Sequence, residues 1–286
     1  MAQSDLNVSN LALSLMGHRE RIAVLATDTS VAAVQCNAMV DDCKKALLRM
    51  HPWNFAIKRR VITPYQDFAV SNVTFVSSQL IEVTHAATTY VAGQYVTLTG
   101  IAGATAANGT WEVASVPGGT TVRLTALGIT TSDILGTYTA SDTDYIRRSP
   151  AFTYAYLYDN PSDIIRLLEV NELHNNADWR VEGDFIVSDS DSLQLRYIYD
   201  VTDYTTMDPM FYQTLGHYLA YNLCDVLSAS DAKKNELHAY LYGGQGKRGV
   251  LPQSRFTDAT EDSMQIMEAN EWLDSRVSYS VERGAA

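Results

Sequence analysis

A helix that has to stop at a proline, followed at once by a change of period, constrains this chain more than any other stretch. Ala32, Cys36, Met39, Cys43, Ala46 and Met50 recur every three or four residues and predict one stripe of a helix beginning near Ser30. Gln35, Asp41, Asp42, Lys44, Lys45 and Arg49 fall mostly off that stripe and are expected to stay wet. Asp28, Thr29 and Ser30 can each cap its start by accepting from an unpaired backbone N–H. Pro52 ends it, because the pyrrolidine ring pushes His51 out of the helical region. Trp53, Phe55 and Ile57 then alternate with Asn54, Ala56 and Lys58, which predicts that the helix runs straight into a strand. His51, Pro52, Trp53, Asn54 and Phe55 are thus a structural junction, with Trp53 and Phe55 as buried anchors.

The first element is a short helix through Leu6, Leu11, Leu13 and Leu15 that stops at Gly17. From Gln66 the composition changes to Thr, Val, Ala and Gly, and no helical period survives to Arg148. Alternating runs such as Val91–Leu98 and Trp111–Val116, with turns at Asn108-Gly109 and Pro117-Gly118-Gly119, predict a small β-sandwich or barrel. Pro64 and Pro150 bracket it, and Ile62 and Phe152 are expected on adjacent antiparallel strands. Past Ser149, Phe152, Tyr154, Tyr156 and Tyr158 alternate, and Asp163–Val170 reads as a second strand. Asp178–Val187 and Leu193–Val201 are expected to form a hairpin closed by Ser188–Ser192. Asp208, with Pro209 behind it, caps a helix buried through Leu215, Tyr218, Leu219, Asn222, Leu223 and Val226. Ser230 or Asp231 caps another, through Leu237 and Leu241, broken by the glycines from Gly243. Thr260-Glu-Asp262 could start a last helix reaching Trp272 and Leu273.

The fold class is therefore α+β. An N-terminal helix, a long helix and two C-terminal helices pack with antiparallel strands as a core of residues 1–65 and 149–245. An all-β domain, 66–148, is inserted, and 246–286 is a C-terminal arm that orders on a partner.

No chemistry reaches the same definition. The histidines lack metal-ligand spacing, so no structural metal or cofactor is expected. There is no nucleophile elbow, and Cys224 has no recognisable base around it. Gly243-Gly-Gln-Gly-Lys-Arg-Gly249 lacks the spacing and the Ser or Thr of a phosphate loop, and reads as a flexible linker. Asp189 and Asp191 lack the remaining calcium ligands of a helix–loop–helix site. Carboxylate pairs are plentiful between Asp178 and Asp208, which keeps a glycosidase open as an alternative. Cys36 and Cys43 stand roughly 10 Å apart along a helix, beyond disulfide reach, and suit a reducing cytoplasm. Neither a signal peptide nor a bilayer-spanning run is present in the sequence.

The net charge of −12 is uneven. Residues 1–65 carry eight basic against five acidic side chains, +3, whereas 149–245 carry five against fifteen, −10. Such a protein binds DNA poorly but suits a surface past which DNA slides. Lys58, Arg59 and Arg60 form the densest basic cluster, a candidate contact to the acidic half of a neighbouring subunit or to DNA.

Taken in order, Ala12-Leu-Ser-Leu-Met-Gly17, Leu47-Leu-Arg-Met-His-Pro-Trp-Asn-Phe-Ala56, Trp179-Arg-Val-Glu-Gly183, Leu195-Arg-Tyr-Ile-Tyr-Asp200 and Met207-Asp-Pro-Met-Phe211 carry a family likeness. They resemble the tail tubular protein A group, the head–tail adaptor or connector proteins of short-tailed bacteriophages. The resemblance covers Met1–Tyr65 and Ser149–Gly243. It implies a non-enzymatic virion protein of the tail or neck, assembled in the host cytoplasm as a homo-oligomeric ring of about twelve copies. Such a ring sits between the portal protein and the tail nozzle protein and leaves a central channel through which genomic DNA passes without sequence-specific binding, with no membrane contact. Arg255, Phe256 and Trp272 are then candidate portal-docking residues of the arm. Two departures stand out: Tyr158-Asp-Asn-Pro161 replaces a tighter Leu-Pro-x-Asp turn, and 66–148 is an insertion that shorter members lack. The alternatives are a tail-associated peptidoglycan-degrading enzyme, or an adaptor whose insert docks tail fibres or binds host glycan through Tyr90, Tyr95 and Trp111.

Overall fold

The computed structural model describes residues 3–261 except 20, 78, 87–89, 103, 131–137, 139–140, 142, 172–178 and 245. The chain is mixed α+β and divides into two units, Met1–Phe55 with Thr202–Ala286, and Ala56–Val201. The division falls at Phe55 and Val201, so the helices and the sheets, grouped by sequence into one body, belong to different units.

In the first unit, Ser4 accepts from Asn7 N–H to start α1, Asp5–Met16, and Gly17 closes it in the left-handed region. Ser30 caps α2, Val31–Met50, by accepting from Ala33 N–H. The buried stripe of α2 is Ala33, Cys36, Val40, Cys43, Leu47 and Leu48, rotated from the expected one; only the two cysteines are common to both. Met50 is exposed, and Lys44 is buried with its ammonium 2.9 Å from Asp41. Asp208 caps α3, Pro209–Leu227, by accepting from Met210 and Phe211 N–H. Its buried face is Phe211, Leu215, Leu219 and Leu223 with Thr214, Gly216, Ala220 and Cys224; Val226 is exposed. Among the described residues, helix α3 touches every other helix of the unit. A Cβ on Gly216 would come within 2.5 Å of Leu11 Cδ2, so a glycine is what lets α1 approach. Ser230 caps α4, Asp231–Tyr242, buried through Leu237 and Leu241.

The glycine stretch after α4 is no open linker. Gly243–Gly244 pairs with Lys247–Arg248 as a two-residue hairpin, and Gly249 leads into α5, Val250–Thr260. This helix packs on α3 and α4 and buries Leu251, Ser254 and Asp258. The arm expected to order on a partner is thus, through Thr260, part of the folded unit. Trp272 and the helix expected to reach it lie outside the described residues.

The second unit holds two three-stranded antiparallel sheets and a barrel. Strand β1, Ile57–Ile62, begins four residues later than the expected start at Trp53, after a 3₁₀ turn at Asn54–Ala56. The barrel strands are β2 Phe68–Ser77, β3 Leu80–His85, β4 Tyr95–Thr99, β5 Gly109–Gly118, β6 Thr121–Thr125 and β7 Tyr145–Arg148. They close in the order β2-β3-β6-β5-β4-β7. Ile81, Val83, Val96, Leu98, Val113, Val122, Leu124 and Ile146 fill the interior, alternating with outward polar residues. Because β2 pairs with β7, Phe68 opposite Ile146, the insert enters and leaves side by side.

The remaining strands are β8 Tyr156–Asp159, β9 Ile164–Val170, β10 Trp179–Glu182, β11 Phe185–Ser188 and β12 Leu193–Tyr199. They pair as β1-β12-β9 and β10-β11-β8 around Tyr158, Val170, Ile186, Leu193, Leu195 and Tyr197. The expected hairpin across Ser188–Ser192 does not form. Gly183, at φ +61°, turns β10 back onto β11, and Ser188–Ser192 carries the chain into the other sheet. Ile62 and Phe152 are not on neighbouring strands either: β1 lies beside β12, and β8 beside β11. Phe152 belongs to no strand and is 81% exposed, next to Thr153 at φ +71°.

Candidate functional site

Trp53 is 1% exposed, and its Nε1–H donates to Leu47 O at 3.0 Å. That carbonyl belongs to the last turn of α2, where no intrahelical donor remains, so the indole caps the helix that precedes it. The ring lies edge-on to Phe211 at 5.0 Å and to His51 at 4.7 Å, and Phe55 meets Phe211 at 4.9 Å. Asp258 of α5 completes the junction. Its Oδ1 accepts from Asn54 N–H at 3.0 Å, its Oδ2 from His51 Nε2 at 2.9 Å, and its main-chain oxygen from Asn54 Nδ2 at 2.7 Å. These bonds hold Asn54–Ala56 in a turn, which is why the period-two pattern begins before the strand does. His51, Trp53, Asn54 and Phe55 meet in one place with Phe211 and Asp258, two residues that local spacing gives no reason to select, while Pro52 is exposed.

The basic cluster is split by the pleat. Lys58 leans over the Tyr199 ring at 5.1 Å and pairs with Asp163 at 2.6 Å; this bond raises the lysine pKa above its ordinary value. Arg59 lies directly opposite Arg196, and Arg60 opposite Leu195. Arg59 and Lys58 therefore face opposite sides of the sheet. Arg196, which nothing local in the sequence ties to this cluster, joins Arg59 and holds Glu169 at 3.1 Å.

Of the expected docking residues, Arg255 and Phe256 are on α5; Phe256 is 61% exposed, with the Arg248 guanidinium 5.8 Å from its ring. Trp272 is outside the described residues.

The insert is fastened rather than hung. The Arg148 guanidinium stacks between Tyr65, 4.7 Å, and Phe185, 4.6 Å, and donates to Tyr65 Oη at 2.8 Å. The Tyr65 hydroxyl donates in turn to Asp159; burial, and then this bond, push its pKa up to about 12. Arg147 lies over Tyr156 at 4.6 Å and 3.5 Å from Asp67. Of the aromatics offered as a glycan platform, Tyr90 is buried and Trp111 packs on the barrel core with Nε1–H bonded to Ala107 O at 2.7 Å; only Tyr95 is exposed.

Burial raises the Cys36 and Cys43 thiols to about 11, so neither is a nucleophile at neutral pH. Among the described residues, no three His, Cys, Asp or Glu side chains are grouped to hold a metal ion, and no helix is long and apolar enough to cross a membrane. A scan against protein-family models and a search of curated proteins gave no match to this chain.

Proposed function

We propose that this chain is a structural head–tail adaptor of a short-tailed phage, forming a ring between portal and tail nozzle around a DNA channel, with no catalytic role. One observation supports the reading most. Segments far apart in sequence that carry the family resemblance meet in space: Leu47–Ala56 and Met207–Phe211 join through Trp53 and Phe211. In the second unit, Trp179–Gly183 forms one hairpin arm and Leu195–Asp200 runs along the middle strand of a sheet. The resemblance thus follows the residues that fix the fold.

A ring subunit needs contact area more than a pocket. Val31, Val34, Tyr240 and Phe256 leave apolar side chains exposed on the helical unit. The acidic surplus of 149–245 fits a wall past which DNA moves without sticking. The barrel, lacking in shorter members of the group, is assigned to the outside of the ring.

Negative-stain imaging of the purified chain with and without its portal tests this. The expected result is a monomer or weak association alone and a ring on the portal. Turnover of peptidoglycan, lost on replacing one acidic residue, would overturn it in favour of an enzyme.

A further inference from the structure

The outward face of the β1-β12-β9 sheet is basic although the chain is acidic. Cross-strand register sets Arg59, Arg196 and Glu169 in one row and Ile57, Ile198 and Arg166 in the next, all on the same face; Ile198 is fully buried, so the face is open at the Arg59–Arg196 row. Arg59 and Arg196 are direct neighbours across an antiparallel pair, where like charges destabilise the sheet. Glu169 bonds Arg196, so this part of the face carries three arginines to one carboxylate. Beside them Val61 is 64% exposed, and Arg59, Val61, Gln194 and Arg196, with Glu169, line a shallow depression of about 280 Å³. The opposite face, with Tyr197, Leu195 and Leu193, is core.

We propose that this face, centred on Arg59 and Arg196, receives carboxylates of a second copy of the chain in a head-to-tail contact. Charge complementarity names the occupant. Identical copies of charge −12 repel, and association needs places where opposite signs meet. The acidic side chains between 149 and 245, Glu169 apart, supply one sign on every copy, and this face supplies the other. A two-fold axis through this face would set Arg59 and Arg196 against their own equivalents, so the face meets a different surface of its neighbour. Repeated with a rotation that closes, a contact of that kind builds a ring. This deepens the adaptor reading and rests on it for the closed ring. It also replaces Lys58, which lies on the other face of the sheet, with Arg196 as the neighbour of Arg59.

Sedimentation of the full chain at high concentration, at ~0.05 and ~0.5 M salt, is the test. Wild type should associate more weakly at high salt. The Arg59→Glu/Arg196→Glu variant should weaken association at least about tenfold. Glu169→Gln, which makes the face more basic, should tighten it; loosening would mean that the Arg196–Glu169 pair is merely structural and would overturn the proposal. Arg59→Glu alone leaves that pair intact and gives the same reading if the double variant misfolds. Arg180→Glu, at an exposed arginine of another sheet, should change nothing. Association indifferent to both arginines refutes the proposal, as does duplex DNA binding that is lost in the double variant while association persists. A double variant that still forms rings on the portal would refute this surface and leave the adaptor reading standing. Arginine-dependent association of a wild type that forms no ring on the portal would do the reverse.

Discussion

Replacing Trp53 is the sharpest test of how the helical unit is held together. Trp53→Ala removes a side chain that is 1% exposed, opens a cavity between α2 and α3, and takes away two edge-on ring contacts, with His51 and Phe211. It also leaves Leu47 O without its donor. Truncating a buried aromatic costs about 3–5 kcal/mol. Within that range the lost hydrogen bond accounts for about 1 kcal/mol, and each edge-on contact for ~0.5–1.5 kcal/mol beyond buried area. Trp53→Phe keeps a ring and loses the donor, so it should cost about 1–2 kcal/mol. Urea unfolding followed by far-UV circular dichroism measures both, since the helices of this unit dominate the signal. The order Ala worse than Phe worse than wild type is the expected result. A loss below about 1 kcal/mol for Trp53→Ala would show that the indole is not an anchor.

Asp258→Ala should destabilise the chain by about 2–4 kcal/mol in the same assay, because it strips partners from Asn54 N–H and His51 at once; for the same reason deletion from Gly246 onward should lower the melting temperature instead of leaving the fold intact. Arg148→Ala should loosen the barrel without unfolding it, seen as faster proteolysis around Pro150–Tyr154 at an unchanged barrel melting transition; unchanged proteolysis would mean that the stack on Tyr65 and Phe185 does not fasten it. Burial holds the His217 pKa below 6.5, so the unfolded chain takes up the proton first as pH falls. Stability contributed by the neutral ring is present above about 6.5 and declines below it toward the folded value; His217→Gln should flatten that part of a melting-temperature profile taken between pH ~5 and ~7.5.

Much of the fold is legible locally. Ser4, Ser30, Asp208 and Ser230 start helices because a side-chain oxygen satisfies an orphan N–H within three residues. The barrel segment is readable because alternation and turn dipeptides recur at short range, and its closure then follows from pairing its first strand with its last. The junction is visible as His51-Pro-Trp-Asn-Phe55, but the turn it adopts is not. Its alternation reads as strand until Asp258, some two hundred residues on, takes Asn54 N–H away from any ladder. The stripe on α2 was misplaced because several apolar phases fit the same helix, and only packing against α3 chooses among them. The pairing of β11 with β10 and β8 was hidden for a similar reason: sequence marks turns, while sheet membership depends on which buried faces meet around Tyr158 and Tyr197. The basic face was hidden as well, since Arg59 and Arg196 become neighbours only through strand register. Caps, turns and alternation are interactions over a few residues, and the sequence alone determines them. Helix rotation, strand partners and the clustering of distant charges depend on long-range packing, and only the tertiary structure decides them.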